Sequence, residues 1–217
     1  MLWCITSFDD DNNFPLYGKD IASISDEELL SAFLTAPRLH DYDNVIIPRI
    51  SKHLVIKVGP GVAKSEAENM KFASETLGLP IPKVHRAFTA EIPEDPDLPE
   101  TPLVEGHFIV KDYIKGSTID KSWQSLDTAT KETVAQQVAG TINKMQSTAL
   151  NHMPVGPIGR ARMPNSKCNY KIDVGIMVKQ LTPETRRFKF EDIVLTHQDL
   201  ALRNLVLDND MKGWVID

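Results

Sequence analysis

Residues 196–217 read Thr196-His197-Gln198-Asp199-Leu200-Ala201-Leu202-Arg203-Asn204, then LVLDNDMKGWVID to Asp217. Asp199 and Asn204 stand five positions apart, and Asp217 closes the stretch behind the apolar run Trp214-Val215-Ile216. Leu205-Val206-Leu207 predicts a short strand, Asn209-Asp210 a turn, and Trp214–Ile216 the returning strand. Upstream, Ile193-Val194-Leu195 predicts a buried strand that anchors the polar loop. Such a hairpin carries Asp217 back toward Asn204, so that Asp199, Asn204 and Asp217 converge. One carboxylate can take a proton, while an amide oxygen and a second carboxylate are hard ligands of the kind Mg²⁺ prefers. That is the working set for phosphoryl transfer from ATP. His197 is placed to brace the loop against backbone near Asp217, and Arg203 to offset the local negative charge. Taken singly, each of these residues is as well explained by turns and caps; the spacing of the whole set is what singles it out.

Working outward, Ser25-Asp26-Glu27-Glu28 is a capping box ahead of Leu29, Leu30, Phe33 and Leu34, which predicts a helix from Asp26 to Ala36, stopped by Pro37. Two strand-like runs, Asn44–Ile50 and His53–Val58, predict a hairpin with Pro48 on an edge strand. A helix capped by Ser65 follows, running to Leu77 and closed by Gly78. Strands are expected over Val84–Ala90 and His107–Ile114, separated by a proline-rich acidic loop at 92–105. Asp127–Ala149 places Val134, Val138, Ile142 and Met145 on one helical face. Residues 150–170 read as irregular, and Thr182-Pro183 opens a short helix. Strands early and helices late give an α+β chain.

Composition narrows the function. The 217 residues carry a net charge of −6 with no basic stripe, so nucleic acid is not an expected partner. Cys4 and Cys168 form neither a CxxC nor a Cys/His cluster, so zinc and structural disulfides are not expected and a cytoplasmic location is. No basic, apolar leader opens the chain, and no apolar run reaches the ~20 residues of a membrane span.

The pattern H-x-D-L-x-x-x-N followed by a strand pair and V-I-D resembles the catalytic segment of the aminoglycoside phosphotransferase family, in particular its fungal phosphotransferase-like members. The resemblance implies a bilobal protein-kinase-like fold over 26–217, with an N-lobe at 26–114, a C-lobe at 115–217 and an N-terminal extension at 1–25. It implies Asp199 as catalytic base and Asn204 and Asp217 as Mg²⁺ ligands. It implies that Lys57, in LVIKVGPG, binds the ATP phosphates and is held by Glu68 on the following helix. Glu66 is a second candidate for that pair, and Glu68 also fits a cap of its own helix. It implies a hinge at HFIVKDYIKG, where adenine meets the backbone of Asp112 and Ile114.

There are departures from the family pattern. The first hairpin has Ser51-Lys52 in place of a glycine loop, Gln198 replaces a common glycine, and Leu202 a common proline. The family's W-E and the helices after it do not follow Asp217, so a shortened C-lobe and a protein partner covering it are expected. The implied activity is ATP-dependent transfer to a hydroxyl of a small molecule of the aminoglycoside or choline type. The alternatives are a nucleotide-binding pseudokinase or inactive fragment and, against the Ala201 that replaces a lysine, a protein kinase.

Overall fold

The computed structural model describes residues 14–42, 45–59, 62–98, 100–148, 195 and 200–216. The expected segments at 150–170, 182–183 and 193–194, and the candidates His197, Asp199 and Asp217, lie outside the described residues.

Helix α1 spans Asp26–Thr35, and both halves of its capping box form, Glu28 N–H to Ser25 Oγ at 3.2 Å and Ser25 N–H to Glu28 Oε2 at 3.1 Å. Five strands follow: β1 (Arg38–Tyr42), β2 (Val45–Pro48), β3 (Leu54–Gly59), β4 (Val84–Pro93) and β5 (Leu103–Asp112). They pair antiparallel in the order β1-β2-β3-β5-β4. Strand β1 is absent from the sequence expectation. Its Arg-Leu-His-Asp-Tyr has no apolar run, as suits an outermost strand with one packed face. Pro48 is therefore not on the edge. Its missing N–H falls at the end of β2, opposite Arg38 and beside the register shift between Arg38 and His40. The acidic loop is shorter than expected, because β4 runs on to Pro93 and β5 begins at Leu103.

The two faces of this sheet differ through the period of 2 along each strand. Ile56, Val58, Phe108 and Val110 face α1 in one core cluster with Leu29 and Phe33, and Phe108 stacks on Phe88 at 4.7 Å and meets Phe33 edge-on at 5.5 Å. Leu16 and Ile24, upstream of α1, belong to the same core, and Arg86 on β4 ties them down through the carbonyls of Ile21 and Ile24. Val55, Lys57, Ile109 and Lys111 alternate with those residues and face the other side. There, helix α2 (Lys64–Lys71) lays Ala67 and Met70 against Val84 and Ile109. Its N-cap is Ala63, without a side-chain bond; Ser65 is buried in the first turn and does not cap. The helix passes into a π-helical turn, Phe72–Thr76, and Gly78 (φ 58°) ends the run as its sequence predicts.

Beyond β5 the chain makes β6 (Gly116–Thr118), α3 (Ile119–Ser122) and α4 (Thr128–Gln146), the last capped by Asp127 through Thr130 N–H at 2.7 Å. Strands β7 (Leu205–Asp208) and β8 (Gly213–Val215) form the expected hairpin, and β6 adds to it in a three-stranded sheet, β6-β7-β8. Val134 of α4 packs with Ile119, Leu205, Leu207 and Val215. Gln137 of α4 holds the hairpin tip twice, donating to Met211 O at 3.0 Å and accepting from Gly213 N–H at 2.7 Å. Among the described residues no helix is long and apolar enough to cross a membrane.

Candidate active site

A cavity of about 490 Å³ opens between the two sheets, a volume that suits a small-molecule site. Leu39, Ile47 and Val55 form its upper wall, Val206 and Leu207 its floor, and residues 112–116 its back edge. The apolar surfaces follow from the alternation just described, since Val55 shares its face of β3 with Lys57.

Lys57 is 6% exposed, and its Nζ donates to Glu66 Oε1 at 2.8 Å. The expected partner Glu68 is exposed instead. Helical geometry decides between them. Glu66 lies on the face of Ala67 and Met70, which packs on the sheet, while Glu68 is two residues on and about 200° around the axis. Burial leaves the lysine charge little water, so the carboxylate must come from the packed face.

Asn204 is buried at the end of a 3₁₀ turn, Leu202–Asn204, with Arg203 half-buried beside it. Ile216 N–H donates to Asn204 O at 3.0 Å, so the hairpin does return the residue before Asp217 to Asn204. His197, Asp199 and Asp217 lie outside the described residues. Among the described residues no group of three or more His, Cys, Asp or Glu converges on a point. Asn204 is thus the single member of the proposed metal set that is described.

At the hinge, the Asp112 N–H donates to Lys83 O at 3.0 Å, and its carboxylate accepts from Lys83 N–H at 3.1 Å and meets His85 Nε2 at 2.6 Å. The Asp112 N–H is therefore already engaged, and Tyr113 N–H goes to His53 O at 2.8 Å. Ile114, by contrast, lines the cavity with no backbone partner among the described residues. An edge of this kind can be read by a flat heterocycle.

Four cavity residues were not singled out in the sequence. Arg49 is 4% exposed, sandwiched between the rings of Tyr113 (3.9 Å) and Phe14 (4.7 Å). Thr118 Oγ1 is buried without a hydrogen-bond partner among the described residues, and a ligand hydroxyl or base would satisfy it. Asp208 accepts from Trp214 Nε1 (2.7 Å) and from the amides of Asp210 and Lys212 (both 2.9 Å). Burial pushes its carboxyl up, but those bonds and the Lys212 charge outweigh burial and hold it below the ordinary range. The fourth is Lys111, also 4% exposed, whose Nζ donates to Ile216 O at 2.6 Å. The signal for Lys111 was available: a cation at the end of the apolar run Phe108–Val110, in the same alternation as Ile109.

No family model and no curated protein sequence matches the chain. Solved structures do resemble it. The gentamicin complex of APH(2")-IIa is 17% identical over 89% of this chain and 69% of that one, with a TM-score of 0.52. The GDP and kanamycin complex of APH(2")-IIia is 13% identical over 91% and 68%, with a TM-score of 0.51. The GDP complex of an aminoglycoside 2'-phosphotransferase-IIIa mutant is 15% identical over 91% and 67%, with a TM-score of 0.51. Likeness at such identities speaks of architecture, and it meets the expectation from the C-terminal motif: the chain is built on the α+β, protein-kinase-like fold of the aminoglycoside phosphotransferases and spans about two thirds of their length.

Proposed function

We propose that the chain belongs to this phosphotransferase family and moves the γ-phosphate of ATP, with Mg²⁺, to a hydroxyl of a small acceptor of the aminoglycoside or choline type. The observation that carries this reading is the buried Lys57–Glu66 pair on the same face of the sheet as the cavity wall. The base would lie between Val55 and Val206 with its edge at Ile114, and the ribose or base would meet Thr118 Oγ1. Lys57 would then hold the phosphates, its position fixed by Glu66. Asn204 and Asp217 would supply hard oxygens for Mg²⁺, which when bound would neutralise phosphate charge. Asp199 would orient the acceptor hydroxyl and take its proton, while His197 and Arg203 steady the loop. Such chemistry rests on positioning and electrostatics rather than on a covalent intermediate. The aminoglycosides and GDP named for the similar structures support both halves of the substrate pair. A cytoplasmic location fits a substrate of this kind.

The test is transfer of labelled γ-phosphate from ATP, and in parallel from GTP, to a panel of aminoglycosides and choline. Labelled acceptor is expected, with Asp199→Asn keeping nucleotide binding and losing about 10²–10⁴ in rate. Nucleotide binding without transfer to any acceptor would replace this reading by that of a pseudokinase. No nucleotide binding at all would end both.

A further inference from the structure

We infer that Lys111 is a positioning residue that orients the segment leading into Asp217, an inference that rests on the phosphotransferase reading. Lys111 is on the same face of β5 as Ile109, opposite Val55 in the strand register, where alternation offers an apolar place. A buried ammonium there is costly unless its protons are taken. The short bond to Ile216 O takes one, and it crosses from the five-stranded sheet to the end of β8.

The target of that bond gives it consequence. The Ile216 carbonyl belongs to the peptide plane that joins Ile216 to Asp217, and a peptide plane is rigid. The plane on the other side of Ile216 is fixed as well, since its N–H donates to Asn204 O at 3.0 Å. One residue earlier, Val215 N–H donates to Pro80 O at 2.9 Å. Three successive peptide units are thus pinned, one by Pro80 in the loop between α2 and β4, one by Asn204 and the last by Lys111. Only the last pin is a side chain, so it alone can be removed without rebuilding the backbone. Lys111 thereby fixes the plane in which the chain enters Asp217, the residue proposed to share a metal with Asn204, and it contributes through that segment rather than by touching the nucleotide phosphates.

Lys111→Met keeps the methylene stem and removes the ammonium; Lys111→Arg keeps a cationic donor. Binding of a non-hydrolysable ATP analogue is titrated with Mg²⁺ and with EDTA, on protein whose melting curve shows it folded. If Lys111→Met does not fold, Lys111→Gln replaces it. The neutral variant should lose roughly 10–100-fold in affinity with Mg²⁺ and less than about threefold in EDTA, with Lys111→Arg recovering most of the loss. Equal losses in both conditions, or none, overturn the inference. If the parent binds no analogue, the phosphotransferase reading falls by itself, and amide hydrogen exchange decides on the pin. The Ile216 amide should then exchange at least about tenfold faster in Lys111→Met than in the parent, and unchanged exchange overturns the inference.

Discussion

At the scale of the residue, choosing a carboxylate for Lys57 shows what one side chain's direction is worth. The sequence offers Glu66 and Glu68, and only packing separates them, since helix α2 can bury one of the two. Glu66→Gln should weaken nucleotide binding, and with it turnover, by about 10–100-fold, whereas Glu68→Gln should change either by less than about twofold. Calorimetry with an ATP analogue and initial rates check both. Asp208 makes a second residue-scale case. Its ionised form is favoured in the fold, so its stabilisation is complete above the ordinary aspartate value of 3.8 and is lost as pH falls through the lower folded value. The stability gap between the parent and Asp208→Asn should therefore be constant from neutral pH down to about 4.5 and close below 3.8, as urea midpoints across that range would show. A gap that widened in acid would contradict this.

Elements were legible in the sequence where a local signal and a packed face coincide. Ser25 and Glu28 mark α1, Asp127 marks α4, and the alternation around Asn209-Asp210 marks the β7–β8 hairpin. Strand β1 was not legible, because an edge strand with Arg38, His40 and Asp41 carries no apolar period. The candidate site divided in the same way: the places of Lys57 on its strand, Asn204 before its strand and Ile114 after β5 could be read, whereas Arg49 and Thr118 acquire meaning only from what surrounds them. Gly116, at the start of β6, is a further position whose reason is spatial. A Cβ there would collide with the backbone carbonyl of Leu207 and come within 2.9 Å of the Asp208 Cα, neither of which is a flexible side-chain end. Gly116→Ala should cost about 1–3 kcal/mol in urea denaturation and loosen β6 from β7, seen as faster exchange of the β7 amides.

At the scale of the whole molecule, the described residues link the two sheets and their flanking loops through the bonds of Lys111 to Ile216 and of Val215 to Pro80, and through Ile81, which packs against the cores on both sides. A ligand filling the cavity touches both walls and should tie them together. ATP analogue with Mg²⁺ at 100 times its dissociation constant should add roughly 2.7 kcal/mol, read as a rise in melting temperature. A folded chain whose melting temperature ignores the nucleotide would leave the fold standing and the proposed site without its ligand. Gln137 carries a last consequence. Its amide gives a proton to Met211 O and receives one from Gly213 N–H, a task that needs both polarities in one plane. Deamidation would exchange that nitrogen for a charged oxygen facing the Met211 carbonyl. A change of a single atom, the commonplace chemistry of an ageing protein, would at this position unfasten the hairpin from the helix that holds it.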